Sequence, residues 1–479
     1  MDQQSAVQIT FDFFPAKPIV VEATAGQLTS DAGLLPFRQL DEQIGLTHRF
    51  ADALKDSRSP GQIEHTFLEM VRMRVFGILA DYPDQNDHDV LRSDPVFKLL
   101  CNRSIRDNDL ASQPTLSRFE NAIEPRSFLR LEEILLEDFV SSFNAPPREL
   151  TLDIDCFDDP THGQQQLTFF HGFYDQYQYQ ARAITCAEND LVASICLLYG
   201  SAHPTLGAPS DLDRVIRRLR EIWPDVRIRV RADSGFAAPV MYEQCEQANV
   251  DYSLGLKMNP RLQKLSEETF DEAIRRWEET GQAQRLFCAF WYRAASWTRE
   301  RWVVVKCEAN AQGTNRRAIV TNRPGARVMR GAAYDDYADR GESENRNKEL
   351  KRGLEADRLS DHRYFANLFR LYLHTLAYTL VVRMRRLVAQ PLAPEPYQEL
   401  PNEALKGRQR RRMHNRRRER DPLGEGHPCT WRTRLIKVAA CITESSRRVV
   451  VRLASSWPYL HHYETICGAI LAAARADTS

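Results

Sequence analysis

The chain has 479 residues, 43% hydrophobic and 27% charged, enough for a sizeable core and more than one domain. No run reaches the roughly 18 uninterrupted apolar residues of a membrane span; the best candidate, 365–382, is broken by Arg370 and His374 and reads as a buried helix. The formal charge of +0 hides segregation, with 15 Lys/Arg against 24 Asp/Glu in Met1–Leu150 but nine against two in Pro401–Arg420, so a basic surface for nucleic acid survives the neutral sum.

The opening MDQQSAVQITFDFFP starts acidic and lacks the basic-then-apolar layout of a signal peptide. The ten cysteines are scattered with no Cys-x-x-Cys pair, which points to reduced thiols rather than a zinc site or disulfides. No GxxxxGK[ST] loop occurs, so no ATP requirement is expected.

Residues 1–145 read as a helical N-terminal region. Ser59-Pro60 precedes GQIEHTFLEMVRMRVFGILADY, which has amphipathic helical spacing. SQPTLSRFENAI has a helix-turn-helix flavour, and a plain helical bundle is as good a reading of it. A local basic face of Arg103, Arg106 and Arg118 is a candidate for reading DNA within this acidic region.

From Arg148 the pattern changes. RELTLDIDCF alternates like a strand; YQARAITCAE and DLVASICLLYG follow as two more. PSDLDRVIRRLREIW is an amphipathic helix, VRIRVRADSGF a strand, APVMYEQCEQAN a helix and VDYSLGLK a strand. These elements predict an α/β sheet of mixed strand direction over 146–260. RLFCAFWYRAA, RWVVVKCEA and RRAIVTNRP make 261–330 strand-rich. Helices are predicted over about 334–354 and 362–387 within 331–390, and a basic run and a β-hairpin fill 391–479.

Two constellations carry chemistry. Asp153 and Asp155 lie two apart on one strand and so share a face, and Asp233 ends another strand. Carboxylates at strand ends in an α/β sheet sit where ligands bind, and such oxygens suit Mg²⁺. In YADRGESENRNKELK, Tyr337, Arg340, Glu344 and Lys351 have offsets that fall on one helical face. There Glu344 could complete a metal site while Tyr337, Arg340 and Lys351 grip sugar or phosphate. The turn Asp158-Asp159-Pro160 with His162 and Gly163 reads as ordinary loop chemistry.

The spacing Tyr-x2-Arg-x3-Glu-x6-Lys resembles the signature around the last catalytic acid in a large group of bacterial insertion-sequence transposases. LDIDCFDDPTHGQQQ, RVRADSGF and the C-terminal LASSWP resemble the family numbered thirteen-eighty, so the resemblance spans nearly the whole chain. It implies a ribonuclease-H-like catalytic core, a β-rich insertion between the second and third acids, and a triad of Asp155, Asp233 and Glu344. Phe157 stands where related sequences often have Thr, so Asp153 stays open as the alternative first acid.

The resemblance further implies cut-and-paste excision and strand transfer, with a hairpin at the element end. Two Mg²⁺ or Mn²⁺ ions are expected, Asp155 bridging both with Asp233 and Glu344 on either side. The expected partners are duplex DNA with terminal inverted repeats, target DNA and a second copy of the chain, with a cytoplasmic, nucleoid-associated setting and no membrane. Arg410, Arg411, Arg412, Arg416, Arg417 and Arg418 are expected phosphate contacts. Trp291, Trp297 and Trp302 are candidates for stacking a flipped base, though packing of a small sheet is the plainer reading of each. The competing functions are a ribonuclease-H-like nuclease without strand transfer, a DNA-binding protein that has lost catalysis, and a phosphatase of the haloacid-dehalogenase type. Phe157 and the antiparallel strands count against the last.

Overall fold

The computed structural model describes residues 9–11, 17, 19–388 and 427–476. The described residues form two compact units, one of 9–123, 376–388 and 427–476, the other of 124–375. The basic run 401–420, with its six expected phosphate-binding arginines, lies outside the described residues.

The first unit opens with a short hairpin, β1 (Ile9–Phe11) and β2 (Ile19–Val21), and then β3 (Leu28–Thr29). Its helices follow the apolar periodicity, but the helix expected after Ser59-Pro60 begins later and spans Phe67–Leu79. Pro60–Gln62 makes only a 3₁₀ turn. The helix starts at Thr66 because the Thr66 hydroxyl accepts the Glu69 N–H, half of a Thr-x-x-Glu capping box. Gln113–Asn121 and Ser127–Ser141 are helices, the second belonging to the other unit. The core holds Phe37, Phe50, Phe76, Phe97 and Trp431. It also buries the pair Arg74–Glu120 at 2.7 Å.

The second unit is built on one nine-stranded sheet. Its strands are β4 (Glu149–Pro160), β5 (Phe169–His171), β6 (Gln176–Cys186), β7 (Val192–Tyr199), β8 (Arg227–Ala232), β9 (Asp251–Leu256), β10 (Gln284–Tyr292), β11 (Arg301–Asn310) and β12 (Gly313–Thr321). The order across the sheet is β10-β11-β12-β9-β8-β4-β6, with β5 and β7 both pairing the far side of β6. β4–β8 and β8–β9 are parallel and the other pairs antiparallel. Helices Ala208–Ile222 and Pro239–Gln247 make the crossovers that parallel neighbours require. The mixed α/β architecture expected from the sequence is present. The strand-rich stretch does not stand apart as a sheet of its own, because β12 pairs with β9 and so prolongs the same sheet.

Near the C-terminus, β13 (Ala440–Glu444) and β14 (Val449–Leu453) form the expected hairpin, and β3 adds to it as a third strand. The helix Leu460–Ala476 follows. Gly33 belongs where it is because a Cβ there would run into the Leu435–Ile436 backbone. Among the described residues no helix is long and apolar enough to cross a membrane.

Candidate active site

β4 alternates apolar and acidic residues. Leu150, Leu152 and Ile154 are fully buried on one face, and Asp153 and Asp155 belong to the other. The parallel register pairs Asp153 with Arg231 and Ile154 with Ala232 on β8. One step beyond this register come Asp155 and Asp233; Asp233 follows the end of β8 as expected, but Asp155 lies midway along β4, which continues to Pro160 in its pairing with β6.

The two β4 acids have different surroundings. Asp153 is 0% exposed and accepts a forked pair of hydrogen bonds from Arg231, at 2.7 and 2.9 Å. Arg346 adds a third at 2.9 Å. Two guanidiniums thus saturate this carboxylate inside the protein. Asp155 keeps 15% of its side chain exposed and makes weaker contacts. Its Oδ1 accepts the Cys156 N–H at 2.9 Å, and its Oδ2 accepts from Ser343 Oγ at 3.2 Å and Arg340 at 3.3 Å. Burial pushes Asp155 up to about 6; Arg340 opposes that push and the like charge of Asp233 adds to it.

Asp233 caps the 3₁₀ turn Ser234–Phe236, its Oδ1 accepting the Gly235 N–H at 2.8 Å. Gly255 on β9 leaves the room this turn needs. A Cβ there would collide with the Tyr337 hydroxyl and crowd the Asp233–Ser234 backbone.

Tyr337, Arg340, Glu344 and Lys351 do not share one continuous helix. The helix Arg330–Ala338 ends, Gly341–Lys348 forms the next, and a π turn Glu349–Gly353 closes the run. Gly341, a poor helix former, stands at the break. Three of the four still converge. Arg340 donates to Glu344 at 3.2 Å as well as to Asp155, and Tyr337 lies against Gly255. Glu344 is 67% exposed and joins the other acids through Arg340. The π turn shifts the phase, and Lys351 instead reaches Asp158 at 2.6 Å. Against the upward push of burial, that ammonium holds Asp158 below the usual carboxylate range.

A cleft of about 620 Å³ opens beside these groups. Asp233, Glu344, Arg340 and Tyr337 are among its lining residues, as are Lys257, Lys306, Arg316 and Arg317.

The three tryptophans separate. Trp297 is buried against Tyr242 and Tyr292. Trp302 is half-buried and donates its indole N–H to the Ala326 carbonyl at 3.3 Å. Trp291 is half exposed, with Arg327 5.0 Å from its ring centre. His162 is exposed in the loop after β4. Arg103 is held by Glu69, Arg106 donates to the Glu444 carbonyl, and Arg118 is exposed on its helix. Sequence patterns alone did not single out Arg231, Arg346, Ser343 or Gly255. An isolated glycine inside a strand was the one available signal, for Gly255.

A comparison with known families defines the class of protein. The family model described as "Transposase DDE domain group 1" matches residues 11–399, and the chain belongs to that family. It is a DDE transposase, so DNA is its class of substrate, and proteins of this kind generally use divalent metal ions. No curated protein matches the chain.

Among the described residues no three His, Cys, Asp or Glu side chains converge as a ready metal-holding group. The donor chemistry nevertheless suits a hard cation. Asp155 is a half-buried carboxyl whose charge is disfavoured by burial and by Asp233 and only partly offset by Arg340, and a cation would favour it further. Arg340 already supplies one positive charge between Asp155 and Glu344.

Proposed function

We propose that this transposase excises and reinserts an insertion sequence by a cut-and-paste route, and that it is a member of the family numbered thirteen-eighty with the Tyr-Arg-Glu-Lys signature. The catalytic acids are Asp155, Asp233 and Glu344. The single observation that carries this assignment is the β4–β8 register, whose last pair, Ile154 with Ala232, is followed by Asp155 midway along β4 and by Asp233 just past the end of β8. Asp153 is left out because its oxygens are saturated by Arg231 and Arg346.

The order β7-β6-β4-β8-β9, with the first three strands antiparallel and the last three parallel, supports a ribonuclease-H-like core. β10–β12 correspond to the insertion between the second and third acids, and residues 1–145 are the proposed reader of the DNA ends.

Two Mg²⁺ or Mn²⁺ ions, when bound, would activate the attacking hydroxyl and stabilise the charge that develops on phosphorus. Asp155 and Asp233 would hold them from the sheet, and Glu344 would join by turning away from Arg340. Arg340, once released, is free to grip a phosphate oxygen in a forked geometry. Tyr337 braces the Asp233 turn through its seat over Gly255. Lys257, Lys306, Arg316 and Arg317 line a path for the phosphate backbone. Terminal inverted repeats, target DNA and a second copy of the chain are the proposed partners, and hairpin ends are the proposed intermediates.

The test is strand transfer in a purified system. A labelled duplex carrying the ends that flank the gene is incubated with a supercoiled target and Mg²⁺. Joined product supports the transposase reaction; cleavage without joining would instead favour a nuclease.

A further inference from the structure

The helix Gly341–Lys348 carries the third proposed acid and has the sequence GESENRNK, without an apolar side chain. A helix usually docks by burying an apolar stripe, and this one has none to bury. The nearest buried apolar side chains along the chain are Tyr334 and Leu350, ten residues before Glu344 and six after it. Yet Ser343, Arg346 and Asn347 are buried, at the i, i+3 and i+4 spacing of one helical face. Polar contacts from that face must therefore fix the height and rotation of the helix over the sheet.

Those contacts fall into two sets. Ser343 Oγ donates to Asp155 at 3.2 Å, and Arg340, just before the helix, donates to Asp155 at 3.3 Å and to Glu344 at 3.2 Å. These bonds occupy oxygens that the proposed function assigns to cations. Arg346 uses none of them. Its Nη1 donates to the buried Asp153 at 2.9 Å, its Nε to Asp190 at 2.6 Å and its Nη2 to the Ala187 carbonyl at 3.5 Å. Ala187 and Asp190 lie in the turn from β6 to β7, so one guanidinium ties the helix both to β4 and to that turn. Arg231, the other partner of Asp153, donates to the Asp336 carbonyl at 2.7 Å, in the helix Arg330–Ala338 that carries Tyr337. One carboxylate of β4, two residues from Asp155, thus links both helices to the sheet.

We propose that Arg346 is a positioning residue: through Asp153 and Asp190 it sets where Glu344 stands relative to Asp155 and Asp233, and holds it there when Arg340 lets go. The inference rests on the acid triad proposed above. Glu344 and Arg346 are two positions apart, about 200° around a helix. Glu344 can therefore line the cleft while Arg346 faces the sheet. The grip needs a guanidinium, because its planar fork meets several acceptors in fixed directions. A lysine ammonium keeps the charge opposite Asp153 but loses those directions.

The test compares wild type with Arg346→Lys, which keeps Asp153 paired, and with Asp190→Asn. The second variant removes one charge from the grip at a half-exposed position, and its φ of 63° is one that asparagine tolerates. In the metal-free protein, amides of 341–348 should exchange hydrogen faster in both variants, with those of β4 and β8 unchanged. Nicking of an end-bearing duplex should need roughly 10-fold more Mg²⁺ for its half-maximal rate in Arg346→Lys, the scale on which groups that orient metal ligands act. Asp190→Asn should show a smaller shift in the same direction. Equal exchange over 341–348 in variants and wild type would overturn the proposal. So would a wild-type Mg²⁺ requirement in both variants, because a purely structural ion pair lowers stability without moving that requirement. If Arg346→Lys does not fold, Asp190→Asn decides on the same two readouts. If Glu344→Gln nicks as well as wild type, the triad itself fails and this inference falls with it. If Glu344→Gln is inactive while both variants keep the wild-type Mg²⁺ requirement, the triad stands and the positioning role is lost.

Discussion

Asp153 and Arg231 are cross-strand partners in the β4–β8 pair, joined by two hydrogen bonds of 2.7 and 2.9 Å with the carboxylate wholly buried. Two residues further along β4, Asp155 faces another acid where Asp153 faces a guanidinium. One strand therefore carries a structural carboxylate and a candidate catalytic one, separated by a single alternation of the pleat.

Asp153→Ala should unfold far more easily than wild type. It leaves Arg231 and Arg346 facing a void, and breaking a buried ion pair from one side costs about 3–5 kcal/mol. Urea unfolding followed by circular dichroism measures this. A loss under about 1 kcal/mol would mean the pair contributes little to the fold.

Asp155→Asn should show the opposite balance, with a pH dependence. Asp155 has a folded pKa of about 6 against 3.8 for the free side chain. A raised carboxyl favours the fold below pH 3.8, and that contribution is lost as pH rises through about 6. Without divalent metal, the ionised carboxylate therefore costs wild type up to about 3 kcal/mol above pH 6. The amide variant escapes that cost and should match wild type near the acidic limit but exceed its stability at pH 8. Unfolding curves in chelator across this range would reveal a parallel pH profile if burial does not strain the acid.

Gly255→Ala should weaken the protein by about 1–3 kcal/mol, the usual cost of overpacking. Part of that loss should return in the double variant with Tyr337→Phe, which removes the hydroxyl a Cβ would strike. A double-mutant cycle on melting temperature reads the coupling, and strict additivity would show that Tyr337 does not press on this glycine.

Replacing Arg410, Arg411, Arg412, Arg416, Arg417 and Arg418 with alanine should flatten the salt dependence of DNA binding. Each phosphate contact contributes roughly 0.9 to the slope of log affinity against log salt. Titrations of a fluorescent duplex at several salt concentrations would reveal the change, and an unchanged slope would remove this run from the interface.

Much of the second unit was legible because local pattern governs it. β4, β6, β8 and the helix Ala208–Ile222 follow apolar alternation or helical spacing that a linear reading detects. What escaped was decided by distant partners. The pairing of β12 with β9 depends on residues over 60 positions apart, and the structural role of Asp153 depends on Arg231 and Arg346. The break at Gly341 and the π turn after Lys348 altered a helical face drawn from ideal geometry, so Lys351 reached Asp158 instead of the acid pair. The helix Leu460–Ala476 was a missed local signal, since its alanine-rich end favours a helix.

The most direct measurement is Mg²⁺-dependent nicking of an end-bearing duplex by wild type, Asp155→Asn, Asp233→Asn and Glu344→Gln, with each variant first verified as folded. The predicted result is nicking by wild type that disappears on chelation and falls by several orders of magnitude in each of the three variants, while DNA binding persists. Nicking that survives these substitutions would contradict the assignment and move the active site away from the middle of β4 and the end of β8.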